Sequence, residues 1–222
     1  DGETIGGTLV AQGGSFTVRP KAATAGSLSG SANGALDGTL SLTQAADTYS
    51  GVLAGTGGLT VNGGTETLSG DNTYKGATVV HGGTLQIDGN QSAATGATTV
   101  DSGATLAGSG TVGGNVTVKS GAILSPGASA QGAGTLTIGG NLTLAQGSIQ
   151  NWNLGEANVA GGNYNDLVAV KGDLALGGTL NVSTALGGPD VVGGALDAGI
   201  YRLYTYGGSL SGVNNQKLGD IA

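Results

Sequence analysis

The sequence has 222 residues, of which 48 are Gly and only 9% are charged. Fourteen acidic against seven basic side chains give a formal net charge of −7, which repels phosphate backbones and excludes nucleic acid as a favoured partner. The lack of Cys excludes disulfides and thiolate metal sites, and 38% hydrophobic residues argue against disorder despite the high Gly content.

The sequence contains no segment that predicts membrane insertion. No apolar run approaches the roughly 20 residues that a membrane helix needs. The acidic start at Asp1 and Glu3 lacks the basic and apolar regions of a signal peptide. We therefore expect any signal or anchor to have been removed or to lie outside this sequence.

The segment from Gly6 to Leu59 alternates short runs of β-forming residues with Gly-rich turns. Its phrases GGTLVAQGG, GSLSGSANGALDGTLSL and GVLAGTGGLTV share this arrangement but repeat less closely than the sequence that follows. We interpret them as irregular turns of the same repeating structure.

From Val61 onward one unit recurs along the chain. It reads VNGGTETL at Val61, VHGGTLQI at Val80, VDSGATLAGSG at Val100 and VKSGAILSPG at Val118. Its leucines are separated by 106 − 85 = 21 and 124 − 106 = 18 residues, at Leu85, Leu106 and Leu124. This spacing is about one turn of a β-solenoid.

The residues within each unit predict short strands. Alternation such as Val116-Thr117-Val118 directs one side inward, and we expect the Gly pairs 82/83, 113/114, 139/140 and 177/178 to supply positive φ at the corners. A helix is excluded because a Gly every four or five residues would cost about 1 kcal/mol each. One unit cannot bury its apolar face alone, so units must stack. The sequence therefore predicts an all-β fold, a parallel β-helix.

Beyond about residue 145 the sequence becomes more aromatic and its strands longer. Five of the eight aromatic residues lie there, namely Trp152, Tyr164, Tyr201, Tyr204 and Tyr206. Such strands suit a cap over an open solenoid end, so we predict a stalk over residues 1–144 and a capping module over 145–222. Tyr204 and Tyr206 share one face, for which we expect core packing. The predicted core comprises Val118, Leu124, Leu142, Leu144, Trp152, Leu174 and Tyr204.

The sequence offers few residues for catalysis, and we predict no catalytic site. Its one His, His81, lies at a strand-to-turn boundary and is accompanied by neither a Cys nor a Ser nucleophile turn. Paired carboxylates could cleave glycans, for which the candidates are Asp71, Asp88, Asp101 and Asp173. Because these residues neighbour Gly and Asn, we interpret them as solvated turn residues.

We also predict no cofactor or metal site. The segments GGNYND at 161–166 and GGPD at 187–190 are similar to calcium-binding Gly-Gly-x-Gly-x-Asp turns, but both lack the middle Gly and the nine-residue repeat. The Gly-rich strings lack the Gly-Lys-Ser or Gly-Lys-Thr end of a phosphate-binding loop.

The run LSGDNTYKGATVVHGGTLQI, from Leu68 to Ile87, resembles the passenger-associated repeat of autotransporters. The matching residues are Leu68, Gly70, Asn72, Tyr74, Gly76, Thr78, Val80, Gly82, Gly83 and Leu85. The segment GAILSPGASAQGAGTLTIGGNLTLAQGSIQNWNL resembles the passenger segment in which Leu-Ser-Pro-Gly is followed by a Gly-Thr-Leu-Thr strand and a Gly-Asn-Leu strand. The segments YNDLVAVKGDLALGGTLNV and GIYRLYTYGGSLSG continue the resemblance to the C-terminal, autochaperone-like end of such passengers. The resemblance extends from Leu68 to Gly212, about two thirds of the chain.

This resemblance implies a right-handed parallel β-helix that is exported through an outer-membrane β-barrel of the same polypeptide and then displayed on the bacterial surface or released. It also implies that residues 145–222 form an autochaperone-like cap that nucleates folding during secretion. The sequence contains no barrel, so we expect Leu218 to Ala222 to continue towards it.

The resemblance further implies an adhesin-type protein, with host surface or matrix molecules as candidate partners. Two alternatives stay open, a scaffold for a protease or esterase upstream and a glycan-processing β-helix. Asn72 and Tyr74 could bind a sugar, although a residue pair that defines a repeat predicts an internal ladder better. Uncharged Thr and Asn ladders could support self-association between passengers.

Overall fold

The computed structural model describes residues 3–19, 21–127, 132–192, 194–212 and 216–221, the last range by its backbone alone. These ranges contain 30 strands and no helix, hence none that could cross a membrane. The chain winds around three faces, and we call each complete turn a rung. Rungs are numbered in chain order, so that rung 1 begins at Glu3, rung 2 at Ala23, rung 3 at Leu40 and rung 4 at Leu59. The strands on each face pair in parallel between successive rungs.

Two ten-stranded sheets cover two of the faces. The first sheet contains β1 (Glu3–Thr4), β4 (Ala23–Ala25), β7 (Leu40–Leu42), β10 (Leu59–Val61), β12 (Thr78–Val80), β15 (Thr98–Val100), β18 (Val116–Val118), β21 (Leu142–Leu144), β24 (Leu174–Ala175) and β29 (Leu210–Ser211). The second sheet contains β2 (Leu9–Ala11), β5 (Leu28–Gly30), β8 (Thr48–Tyr49), β11 (Thr65–Leu68), β13 (Thr84–Ile87), β16 (Thr105–Gly108), β19 (Ile123–Pro126), β22 (Ile149–Leu154), β25 (Gly178–Thr184) and β30 (Gln216–Ile221).

The third face is divided into two sheets. The earlier sheet contains β3 (Phe16–Val18), β6 (Gly34–Leu36) and β9 (Leu53–Ala54). The later sheet contains β14 (Asn90–Gln91), β17 (Thr111–Val112), β20 (Thr135–Ile138), β23 (Leu167–Val170) and β28 (Tyr204–Tyr206). A separate antiparallel hairpin consists of β26 (Val191–Val192) and β27 (Ala195–Leu196).

The register confirms the repeat and the parallel β-helix predicted from the sequence. Leu85, Leu106 and Leu124 are direct partners in consecutive rungs. A parallel ladder of this kind satisfies the backbone of each short strand only through its neighbours above and below. The right-handed winding stays a prediction.

The first rungs are more regular than the sequence suggested. Partners in the first sheet lie 23 − 3 = 20 residues apart between Glu3 and Ala23, and 40 − 23 = 17 apart between Ala23 and Leu40. The segment up to Leu59, interpreted above as irregular, therefore stacks with the same period as the rungs that follow.

The interior is filled by alternate residues of all three faces. Val118, Leu124 and Leu142 have no exposed surface, and Trp152 and Leu174 are each 1% exposed. Leu144 is also buried, and Tyr204 is half-buried. Tyr206 shares the inward face with Tyr204, but the expectation that it packs in the core is wrong. Tyr206 is 46% exposed, because β28 is the last strand of its sheet.

The Gly pairs have two different roles. Positive φ was predicted at all four pairs and occurs at Gly83 and Gly178, where φ is 70° and 83°. The prediction is wrong for the pairs 113/114 and 139/140, where φ is not positive. A Cβ atom at those positions would overlap the backbone of the preceding rung, so Gly is required there by close stacking.

The later rungs are longer, and their extra residues lie at one corner. The spacing grows to 142 − 116 = 26, 174 − 142 = 32 and 210 − 174 = 36 residues. The described additions are residues 127, 132–134, 155–166, 185–192 and 194–203, each between a strand of the second sheet and the next strand of the third face. We call this edge the insertion-bearing corner. The two ten-stranded sheets and the later sheet of the third face all contain strands before and after residue 144, and no sheet ends there.

Candidate functional site: the repeat rung and the insertion-bearing corner

The ten residues of the repeat motif lie on the two rungs that meet at residues 68–85. Leu68, Thr78, Val80 and Leu85 are buried in β11, β12 and β13. The four motif glycines lie in the turns between these strands, and a Cβ on any of them would approach the backbone of the rung before. The motif thus alternates inward side chains with turns that permit close stacking.

Asn72 is the polar centre of this rung. Its side chain has no exposed surface, its Oδ1 accepts a hydrogen bond from the Leu53 N–H at 2.7 Å, and its Nδ2 donates to the Gly70 carbonyl at 3.3 Å. The amide therefore satisfies backbone groups where the third face has no strand in this rung. It is unavailable to a sugar.

Tyr74 lies beside Asn72 and is also enclosed. The ring is 2% exposed, and its hydroxyl is 2.6 Å from the Thr78 hydroxyl. Burial raises the pKa of Tyr74 to about 12, although the hydrogen bond to Thr78 opposes the shift. A phenol in this position fills the interior and cannot stack on an external ligand.

The candidate carboxylates bind the backbone of the following rung. The Oδ1 atoms of three of them accept N–H groups at 2.7 to 3.2 Å, in the pairs Asp71 with Asn90, Asp88 with Ser109 and Asp173 with Ser209. Asp173 extends a column of capping residues. In this column the Oδ1 of Asn115 accepts the Asn141 N–H, and the Oδ1 of Asn141 accepts the Asp173 N–H. These side chains act as inter-rung caps, which is a structural task.

His81 belongs to a surface row of three hydrogen-bonded ionisable residues at one corner of the first sheet. Its Nδ1 is 2.5 Å from Oδ2 of Asp101, and Nζ of Lys119 is 2.6 Å from Oδ1 of the same carboxyl. Hydrogen bonds from Lys119 and His81 hold the pKa of Asp101 below its usual range. The row connects three stacked turns.

The insertion-bearing corner contains a buried polar network. Asp166 has no exposed surface and accepts N–H groups from Gly134 at 2.8 Å and from the Asn153 backbone at 2.7 Å. Burial raises the pKa of Asp166 to about 7, and the hydrogen bonds from Asn153 and Gly134 oppose this shift. One carboxylate thereby joins the insertions of two rungs.

Asn165 closes the insertion 155–166 upon itself. Its Oδ1 accepts the N–H groups of Gly155 and Glu156 at 2.9 and 3.1 Å, and its Nδ2 donates to the carbonyls of Glu156 and Val159 at 2.6 and 2.8 Å. All four hydrogen-bonding positions of the amide are thus used. The segment GGNYND contributes these residues as loop anchors, and the described residues contain no group of three acidic, His or Cys side chains placed to hold a metal.

Aromatic packing supports the corner from inside. Trp152 and Tyr204, two of the predicted cap residues, meet edge to face with ring centroids 4.9 Å apart. Leu174, the third, is buried on the adjoining first sheet. The edge-to-face arrangement joins the second sheet to the third face across the interior.

Sequence reasoning missed two buried carboxyls, Asp166 and Glu66. Glu66 has no exposed surface, and burial raises its pKa to about 8 against hydrogen bonds from Leu28 and Ser27. The alternation Thr65-Glu66-Thr67-Leu68 could have revealed it, because Glu66 shares the inward side with Leu68. No comparable signal marks Asp166, which lies at the end of a loop.

The chain is similar in sequence to a known protein family and to a known protein. Residues 63–87 match the family model described as Passenger-associated-transport-repeat. Over 168 residues, 75% of the chain, the sequence is 45% identical to the Adhesin BmaC autotransporter of Brucella suis biovar 1 (strain 1330). The chain spans 5% of the length of that relative.

Proposed function

Because this chain is a region of an autotransporter passenger, we propose that it is a structural and display element of an adhesin-type surface protein, without a catalytic role. A passenger is exported through the outer membrane by a translocator of the same polypeptide, which places the chain at the cell surface or in the medium. Host surface or matrix molecules and sister passengers are the partners that we propose.

One observation carries this proposal: the polar residues considered above as catalytic or sugar-binding candidates form hydrogen bonds and ion pairs between neighbouring rungs. Asn72 and Asp173 cap backbone groups of neighbouring rungs, and Asp101 joins charged neighbours. Catalysis needs a side chain that is free to meet a substrate. A continuous ladder with its polar groups so engaged supports a scaffold.

We further propose that residues 145–222 nucleate folding, with residues 1–144 as the stalk. Long paired strands support this, since β22 and β25 share six register positions, from Ile149 with Thr179 to Leu154 with Thr184. Each rung contacts only its neighbours, so a stable end can template the rungs added to it. Folding outside the pore would then favour export.

A matched pair of substitutions tests the nucleating role in the whole chain. Leu40 and Leu174 occupy the same inward column of the first sheet and are 0% and 1% exposed. We expect Leu174→Ala to slow refolding of the entire chain after dilution from denaturant, while Leu40→Ala leaves the refolding rate nearly unchanged and speeds unfolding. Equal slowing by both variants, or slowing by Leu40→Ala alone, would reject a C-terminal nucleus.

Display on bacteria tests the adhesive role. Leu186 and Ile200, both 76% exposed, lie on the insertion at 185–203, whereas Val10, 56% exposed, lies in rung 1. In a fusion to an outer-membrane translocator, we expect Leu186→Ser with Ile200→Ser to reduce binding of bacteria to host cells, and Val10→Ser to leave it unchanged. Binding that does not depend on the displayed chain would refute adhesion by this region.

A further inference from the structure

The second sheet has a defect at rung 3. Strand β8 has two residues and pairs with β5 at a single position, Gly30 with Tyr49. In rung 1 the N–H of Leu9 donates to the Ser27 carbonyl of rung 2 at 2.8 Å. The equivalent N–H of rung 2, that of Leu28, donates instead to a side chain from rung 4.

That side chain is Glu66 of β11, whose carboxyl reaches past rung 3. Its Oε2 accepts the N–H of Leu28 at 3.3 Å and the hydroxyl of Ser27 at 3.2 Å. The Ser27 oxygen in turn accepts the Ala46 N–H of rung 3 at 2.9 Å. A single carboxyl therefore connects rungs 2, 3 and 4 at the place where the backbone ladder is incomplete.

The surroundings of this carboxyl oppose a negative charge. Glu66 is fully buried with Leu85 as its register partner in the next rung, and its Oε1 has no hydrogen-bond partner among the described residues. The titratable groups on the described elements packed around it are Asp47 and Tyr49. Asp47, whose Oδ2 accepts from the Thr8 hydroxyl at 3.1 Å, adds like-charge repulsion. Burial raises the pKa of Tyr49 to about 12, so its phenol stays neutral.

We propose that the Glu66 carboxyl is a proton-dependent latch, which holds the N-terminal rungs closed most firmly in acidic surroundings and lets them open more readily as the pH rises. Opening exposes the carboxyl to water, where it ionises freely, whereas the closed state must keep its proton. The pKa of Glu66 is about 8 in the folded chain against an ordinary 4.5. The latch is therefore strongest below about pH 4.5 and weakens until about pH 8.

Amide hydrogen exchange on the whole chain tests the latch directly. The measured quantity is the protection factor, in which the exchange rate is corrected for its intrinsic pH dependence. We expect protection of the Leu28 amide to fall at least about tenfold between about pH 5 and pH 8, because the closed state keeps a proton that the open state releases, so that a rise in pH favours local opening. Val100, in a rung without a buried carboxyl, should keep its protection.

The variant Glu66→Gln cannot ionise but retains an oxygen acceptor. We expect it to remove the fall in protection at Leu28. A wild-type chain whose Leu28 protection does not change with pH, or a Gln variant that retains the full decrease, would overturn the proposal. If the variant does not fold, the carboxyl carbon shift of Glu66 is titrated in the unmodified chain. A midpoint well above 4.5 supports the latch, and a midpoint at the ordinary 4.5 rejects it.

Discussion

Rungs 1 to 6 are 17 to 20 residues long and leave only short turns at their corners, whereas the three rungs that begin at Val116, Leu142 and Leu174 are 26, 32 and 36 residues long. In the short rungs most backbone groups of the strands pair with the neighbouring rungs, and single side chains such as Asn72 and Glu66 satisfy the groups where a strand is short or missing. In the long rungs the added loops lie outside the ladder, so their backbone N–H and C=O groups need other hydrogen-bond partners. They do so through buried side chains, of which Asn165 and Asp166 are the principal examples.

The comparison shows how a repeating fold accommodates a large insertion. The strands of the three faces continue to pair in parallel through the long rungs, and the insertions accumulate at one corner. Stability in such a stack is a sum of local and nearest-neighbour contributions. Substitutions in the two regions should therefore act locally and differ in size.

The largest effect is expected for the aromatic pair of the long rungs. Trp152→Ala removes a ring that is 1% exposed and packs on Tyr204, which should cost about 3 to 5 kcal/mol. Phe16→Ala in rung 1 removes a half-buried ring that meets Tyr49 with centroids 6.3 Å apart, and should cost about 1 to 2 kcal/mol. Urea unfolding of both variants measures the difference. Equal losses would contradict the view that the long rungs depend on this pair.

Next in size is the buried carboxylate of the insertion-bearing corner. Asp166→Asn places an amide N–H₂ among N–H donors of Gly134 and Asn153, which should cost about 2 to 3 kcal/mol. Asp173→Asn is the matched control, because Asn141 already performs the same capping in the preceding rung, and it should change stability by less than about 0.5 kcal/mol. Thermal and urea unfolding at neutral pH compare the two. A larger loss of stability for Asp173→Asn than for Asp166→Asn would show that the lost negative charge affects stability more than the added N–H donors do.

The short rungs are instead sensitive to side-chain bulk at the stacking glycines. A Cβ at Gly96 would overlap the Gly76 carbonyl one rung earlier, so Gly96→Ala should cost about 1 to 3 kcal/mol. Gly14→Ala adds a Cβ with no atom within 4 Å and without positive φ, and should be neutral or slightly stabilising. Unfolding midpoints measure both changes. A tolerated Ala at Gly96 would indicate that the rungs separate more easily than the register suggests.

The smallest effect is expected on the surface. Lys119→Ala breaks the ion pair with Asp101, whose carboxyl is partly exposed, and should cost less than about 1 kcal/mol. Added salt should reduce the difference between variant and wild type, because it screens exposed charges. Unfolding at low and high salt provides the measurement. A loss comparable with that of Asp166→Asn would mean that the row at His81 has a role beyond surface pairing.

Much of the repeat rung follows from the sequence because its information is local. The side chain of Asn72 contacts a residue one rung away at a fixed spacing, and the period of the motif predicts that neighbour. The insertion network was not predictable in this way. Asp166 meets Gly134 across 32 residues, and the length of the loops between them gives no register from which the contact could be derived.

What the sequence determined by itself is the repeat: strands with a period of two, turns rich in Gly, and units of about 20 residues that must stack to bury their apolar side. Only the tertiary structure decided which glycines are required by φ and which by close approach, and that Tyr206 stays exposed. It also decided that Glu66 connects three rungs. The reason is that alternation assigns a side chain to the inside or the outside, whereas its partners depend on how far each neighbouring rung departs from the regular ladder.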